Sequence, residues 1–268
     1  MIIKEDQAVV ELKNPALEKL RAGELAVGIG LRQARTADIA KVMVTAGYDW
    51  LFIDLEHNSM NLDTAVQISI AAQASGIAPI VRVPSHQPHH ATRVLDGGAL
   101  GVVIPHVDDV ATAQRIASSC RYPPRGHRSV IGGLPQLNFE SVPIKEATEI
   151  VDRETLIVLM LESPTAIENA EAIAAIEGID ALLIGTNDLC MEMGIPGQLD
   201  HPEIEAAYRE TISACKKHNK YPGMGGVYAP ALMKKYIDLG SRFILAGNDL
   251  TFMLEGARNQ AATVRAMA

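Results

Sequence analysis

Eight short apolar runs recur along the chain, most of them separated by a stretch with helical periodicity. That alternation restricts the fold more than any other feature. The runs are LAVGIG (25–30), WLFID (50–54), APIVRV (78–83), GVVIP (101–105), LIVLMLE (156–162), ALLIG (181–185), the glycine-rich and weakest GMGGV (223–227), and RFILAG (242–247). Each is too short for a core helix and too apolar for a loop. Apolar residues return at helical spacing over 36–46, 62–75, 108–119, 164–176, 204–218, 229–239 and 250–264. Eight strands interleaved with helices predict an α/β chain closed into a (β/α)8 TIM barrel. The length of 268 residues suits one such domain over 1–268. The rival is an open doubly wound sheet, which normally carries a glycine-rich phosphate loop after an early strand. GIGLRQA (28–34) lacks the third glycine of that loop. Residues 121–150 break the alternation. Their Pro and Gly content reads as a long loop near a site mouth or an interface.

Composition removes several classes of function. The 32 acidic residues outnumber the 24 basic ones, for a net charge of -8, so a nucleic-acid partner is not expected. No uninterrupted apolar stretch reaches membrane-spanning length. The opening MIIKEDQAVVELKN carries acids and has no long apolar core, unlike a secretory leader. Three widely spaced cysteines, Cys120, Cys190 and Cys215, give neither a zinc pattern nor a disulfide framework. They read as free thiols of a cytoplasmic protein.

In a barrel, chemistry belongs at the carboxyl ends of the strands. Asp54, Glu56 and His57 follow the second run, Arg82 ends the third, and His106 follows the fourth. Glu162 ends the fifth, Asp188 follows the sixth, and Asn248 and Asp249 follow the eighth. Glu162 and Asp188 come from consecutive strands and form a hard-oxygen pair suited to Mg²⁺ or Mn²⁺. Otherwise Glu162 is a carboxylate at a helix start, where Ser163 caps and Pro164 opens the helix, and Asp188 caps its own loop. His57 is either a general base or an exposed histidine, with Asp54 or Glu56 to orient it. Arg82 needs an anion, either a small acidic substrate or a fixed carboxylate such as Asp96. HQPHH (86–90) reads as a solvated loop rather than a metal cluster. None of the eight runs ends in lysine, which disfavours a Schiff-base mechanism.

A divalent ion beside an arginine suits a 2-oxo acid. The ion and guanidinium both favour negative charge on the oxo oxygen as a carbon–carbon bond breaks. Backbone amides near Asp188 can hold the substrate carboxylate. His57 is the candidate to take the proton of a 4-hydroxyl, releasing an aldehyde and the enolate of pyruvate.

These pieces together resemble the HpcH/HpaI family of metal-dependent, pyruvate-specific class II aldolases. The resemblance is carried by AGYDWLFIDLEH (46–57), VRVP (81–84), VLDGGALGVVIPHV (94–107), RYPPRGHRS (121–129), LIVLMLES (156–163) and IGTNDL (184–189), and runs from about Leu25 to Leu254. It implies a lyase of aromatic or sugar-acid catabolism using Mg²⁺, Mn²⁺ or Co²⁺ on a 2-oxo acid and an aldehyde. It also implies a homo-oligomer such as a hexamer, with the last helix packed on a neighbouring subunit. Glu162 and Asp188 would carry the metal, and Thr186, Asn187 and Asp188 would line the substrate. Arg82 would contact the oxo oxygen. His57 would move a proton, supported by Asp54 and by Asp96, the latter reaching across a subunit boundary. The chain departs from the family pattern at Leu55, at Thr186-Asn187, and at Met160, where a glutamine is common. A thioether replaces that amide poorly as a hydrogen-bonding group. Two other functions fit such a barrel: an acyl-CoA-dependent carbon–carbon lyase, and a noncatalytic oxo-acid-binding protein.

Overall fold

A computed structural model describes residues 11–268. Eight parallel strands close into a barrel: β1 (Ala26–Leu31), β2 (Trp50–Asp54), β3 (Ala78–Arg82), β4 (Gly101–Ile104), β5 (Leu156–Leu161), β6 (Ala181–Gly185), β7 (Tyr221–Gly225) and β8 (Phe243–Asn248). Each strand pairs with the next, and β8 returns to β1. The protein is the expected (β/α)8 barrel. Its helices are α1 (Pro15–Arg21), α2 (Ile39–Thr45), α3 (Leu62–Ser75), α4 (Pro88–Asp96), α5 (Val110–Cys120), α6 (Ile144–Glu154), α7 (Pro164–Glu168), α8 (Ala170–Ala174), α9 (Thr186–Glu192), α10 (Pro202–Lys217), α11 (Pro230–Leu239) and α12 (Asp249–Arg265). None of the described helices is long and apolar enough to cross a membrane.

Strand alternation splits the core in two. Outward residues such as Ile29, Ile53, Val81 and Ile184 pack with the helices. Inward residues, including Trp50, Ile80, Val158, Leu183 and Phe243, fill the barrel itself and meet Leu17 and Leu20 of α1. Asn14 caps α1 by accepting from the Leu17 N–H, and its amide donates to the carbonyls of Leu100 and Glu154. Those carbonyls precede β4 and β5, so α1 closes the amino-terminal end of the barrel. Gly28 has a packing reason. A Cβ there would lie 2.0 Å from the Trp50 ring, which stacks on Phe243 with centroids 4.0 Å apart.

Three expectations are corrected. Residues 121–150 lie at the amino-terminal end of the barrel, away from the carboxyl-end mouth. Arg121 donates to the carbonyls of Gly178, Asp152 and Thr155 and pairs with Asp180, all close before β5 and β6. Gln136 donates to Leu95 and Ala99 just before β4, and α6 supplies the last part of the segment. The helix expected over 164–176 breaks at Asn169 into α7 and α8. β7 starts and ends two residues earlier than its glycine-rich run suggests. The triplet His86, His89 and His90 surrounds the start of α4, whose first residue is Pro88. His86 Nε2 meets the Pro105 carbonyl at 2.7 Å and His90 Nδ1 meets Ser85 Oγ at 3.0 Å.

Candidate active site

The carboxyl ends of the strands surround a cavity of about 100 Å³, lined among others by Asp54, His57, Arg82, Met160, Asn187, Asp188, Arg32 and Tyr228. Inward alternation brings Asp54 and Arg82 there, and register sets them directly opposite one another on β2 and β3. Arg82 is buried. Its Nε donates to Asp54 Oδ1 at 2.9 Å and its Nη2 to Oδ2 at 2.6 Å. Its Nη1 lies 2.9 Å from Glu56 Oε2, outside hydrogen-bonding angles. Burial alone would raise the Asp54 pKa. The Arg82 bond and charge, with the N–H groups of Glu56 and His57, outweigh burial and hold the carboxyl below its ordinary value.

Glu56 is the hub of this side. Besides Arg82 it meets His57 Nε2 at 3.5 Å and His106 Nε2 at 3.4 Å. His106 follows β4 in a left-handed backbone conformation, φ 51°. That turn aims its N–H at Glu162 Oε2, 2.8 Å away, and brings its Nδ1 to 3.3 Å from the same oxygen. Glu162 is 2% exposed and sits over Gly185, where a Cβ would lie 2.4 Å from Oε1. Burial raises the Glu162 pKa to about 7. The His106 N–H and ring oppose that rise and the Asp188 charge adds to it. Ser163 then caps α7 by accepting from Ala166, with Pro164 opening the helix. Glu162 is therefore not needed as a cap.

Among the described residues no group of three or more His, Cys, Asp or Glu side chains gathers around a common point as a metal cage. The donor set nonetheless fits a hard divalent ion with open positions. Two carboxylates approach from adjacent strand ends, Gly185 leaves room beside one of them, and burial, with the Asp188 charge, raises that one's pKa so that a nearby cation would favour its ionised form.

On the opposite side of the mouth, Asp249 fixes the loop after β1. Its carboxylate accepts from the N–H groups of Arg32, Gln33 and Ala34 at 2.8, 2.9 and 2.7 Å. Burial raises the pKa of the Tyr228 phenol, and the charges of Arg32 and Arg82 pull it back.

The comparisons with known proteins agree with this architecture. The family model described as HpcH/HpaI aldolase/citrate lyase matches residues 32–255. The chain belongs to that family. It is 36% identical over 260 residues to a 4-hydroxy-4-methyl-2-oxoglutarate aldolase of Hapsidospora irregularis, covering 96% of each chain. It is 33% identical to a hydroxypyruvate/pyruvate aldolase of Cupriavidus necator, covering 94% of this chain and 93% of the other. The crystal structure of an HpcH/HpaI aldolase from Desulfitobacterium hafniense superposes with a TM-score of 0.88 at 28% identity, over 93% and 96% of the two chains. Membership of the HpcH/HpaI family assigns an aldolase or lyase reaction on a 2-oxo acid.

Several expected contacts take a different form in this HpcH/HpaI barrel. Asp54 meets His57 through its backbone N–H, at 3.3 Å; the imidazole faces Glu56 instead. Asp96 is not the partner of Arg82. It ends α4 and pairs with Arg128 at 2.7 Å, outside the residues lining the cavity. Thr186 lines the cavity, while its hydroxyl is buried, donating to the Gly225 carbonyl and sharing a hydrogen bond with Tyr208. Asn187 lines the cavity and donates to the Gly226 carbonyl at 3.4 Å. Met160 is both inner core and cavity wall. Two polar lining side chains, Arg32 and Tyr228, were missed. Arg32 directly follows β1, so the strand-end rule already pointed to it. Tyr228 directly follows the expected run 223–227, so the same rule pointed to it as well.

Proposed function

We propose that this protein is a metal-dependent aldolase that reversibly cleaves a 4-hydroxy-2-oxo acid into pyruvate and an aldehyde. The observation that carries the reading is the buried Glu162 carboxylate held near Asp188, which lines a cavity shared with Arg82 and His57. Glu162 and Asp188 would hold Mg²⁺, Mn²⁺ or Co²⁺, which supplies Lewis acidity toward the 2-oxo oxygen. Arg82, clamped by Asp54 and Glu56, presents a fixed positive charge to that oxygen as negative charge develops. His57 Nε2, beside Glu56, takes the proton of the 4-hydroxyl. The C3–C4 bond then breaks, its electron pair passes to the pyruvate half as the enolate, and the aldehyde leaves. A proton returned to C3 completes pyruvate. The 4-hydroxy-4-methyl-2-oxoglutarate aldolase relative supports this choice of substrate class.

The same reading includes a cytoplasmic homo-oligomer, such as a hexamer. None of the residues of α12 is buried, and Phe252, Met253, Leu254 and Val264 expose apolar surface that a second copy would cover. Pyruvate release from a panel of 4-hydroxy-2-oxo acids, with and without each metal, tests the reaction. Release that depends on metal and falls by roughly 10²- to 10³-fold in Glu162→Gln is expected. Metal and pyruvate binding without release from any acid would instead make the protein an oxo-acid-binding barrel.

A further inference from the structure

The two sides of the mouth differ in how their charges are satisfied. Arg82 is engaged by Asp54 and Glu56, and the imidazoles of His57 and His106 both face Glu56. Arg32 also lines the cavity, yet among the described residues its guanidinium has no hydrogen bond and no ion pair; only its backbone N–H is bonded, to Asp249. The nearby acid cannot serve as its partner. The Asp249 carboxylate is occupied by four N–H groups, those of residues 32, 33, 34 and Leu250.

Position gives this unpaired cation a direction. In a closed ring of eight strands taken in order, β1 lies opposite β5. Arg32 is the first residue after β1 and Glu162 the first after β5. Arg32 and the end of β5 that carries Glu162 therefore lie on opposite sides of the mouth. The Asp249 contacts fix the backbone that carries Arg32, so its charge is held at the rim without being neutralised there. Tyr228, after β7, adds a phenol to the same side.

We infer that Arg32, with Tyr228, forms an anion subsite for a carboxylate at the far end of the substrate, so the acids preferred by this enzyme carry two carboxylates. The inference rests on the aldolase reading for its catalytic half but not for its binding half. A guanidinium offers a carboxylate paired N–H donors as well as charge.

Two 4-hydroxy-2-oxo acids of equal length, one ending in a carboxylate and one in a methyl group, test it by the ratio of their kcat/KM values. Wild type favours the dicarboxylate. Arg32→Ala lowers the ratio by about 10- to 100-fold, and Arg32→Lys restores part of it. In parallel, calorimetry in Mn²⁺ compares 2-oxoglutarate with 2-oxopentanoate, and the same variants shift the ratio of dissociation constants in the same sense. A binding ratio that moves with Arg32 while no acid is cleaved upholds the subsite and removes the aldolase reading. Cleavage with both ratios unmoved in Arg32→Ala overturns the subsite and leaves the aldolase. A wild type that neither cleaves nor binds these acids overturns both.

Discussion

The two ends of the barrel handle buried charge in opposite ways. At the amino-terminal end, Arg121 is enclosed by three carbonyls and the Asp180 carboxylate, and Asp180 also accepts from the Ile157 N–H. At the mouth, Glu162 is as deeply enclosed as Arg121, yet its one hydrogen bond among the described residues comes from the His106 N–H, the His106 imidazole stands 3.3 Å away, and Asp188 adds like charge. The first arrangement is complete within the chain and serves the fold. The second leaves the carboxylate with fewer partners, as the proposed metal-holding role requires. Burial does not separate structural charge from functional charge in this molecule. The state of the partners does.

Four experiments break or sharpen that contrast. Arg121→Ala strands Asp180 and frees three carbonyls, with an expected loss of about 3–5 kcal/mol in denaturant unfolding. The remaining folded enzyme keeps its kcat. Glu162→Gln inverts the pattern. Turnover falls by roughly 10²- to 10³-fold, while the metal-free protein at pH 8 melts no lower than wild type, because a poorly compensated buried charge has gone. A fall in melting temperature as large as that of Arg121→Ala would erase the distinction between the two ends. Gly185→Ala pushes a methyl group against Glu162 Oε1. The expected result is a metal affinity weaker by roughly tenfold to a hundredfold, read by calorimetry.

The smallest effect is in pH. The Glu162 pKa stands at about 7 in the folded protein, above its ordinary value of 4.5. The folded state thus binds more protons than the unfolded one between those values, and the metal-free protein loses stability as pH rises through that window. Metal binding needs the deprotonated form, so affinity moves the other way. Mn²⁺ should bind roughly tenfold more tightly at pH 8 than at pH 6. A flat profile would mean that Glu162 is already fully ionised.

The strand ends were legible from sequence because alternation and the barrel rule place Asp54, Arg82 and Glu162 without knowledge of any contact. Which acid meets which base was not. Asp54 pairs with Arg82 through register between β2 and β3, and no spacing within one strand reveals that. Sequence closeness likewise left Asp54 and Glu56 both open as the group that orients His57, and the imidazole meets Glu56. For residues 121–150 the sequence offered a site mouth or an interface, and the mouth was wrong because a Pro/Gly-rich connection looks alike at either end of a barrel. α1 escaped notice although Asn14-Pro15 is a helix-start signal. The Met160 substitution was legible, and its place on the cavity wall keeps it relevant to selectivity.

Asp249 is the first residue of α12, and its carboxylate gathers the backbone of residues 32–34. The helix proposed to dock on a neighbour and the loop that carries Arg32 are thus tied by one side chain. Tilting the helix drags the loop with it. Assembly and substrate choice then share a mechanical linkage, and dilution to free protomers should blunt the preference for dicarboxylic acids before it abolishes turnover.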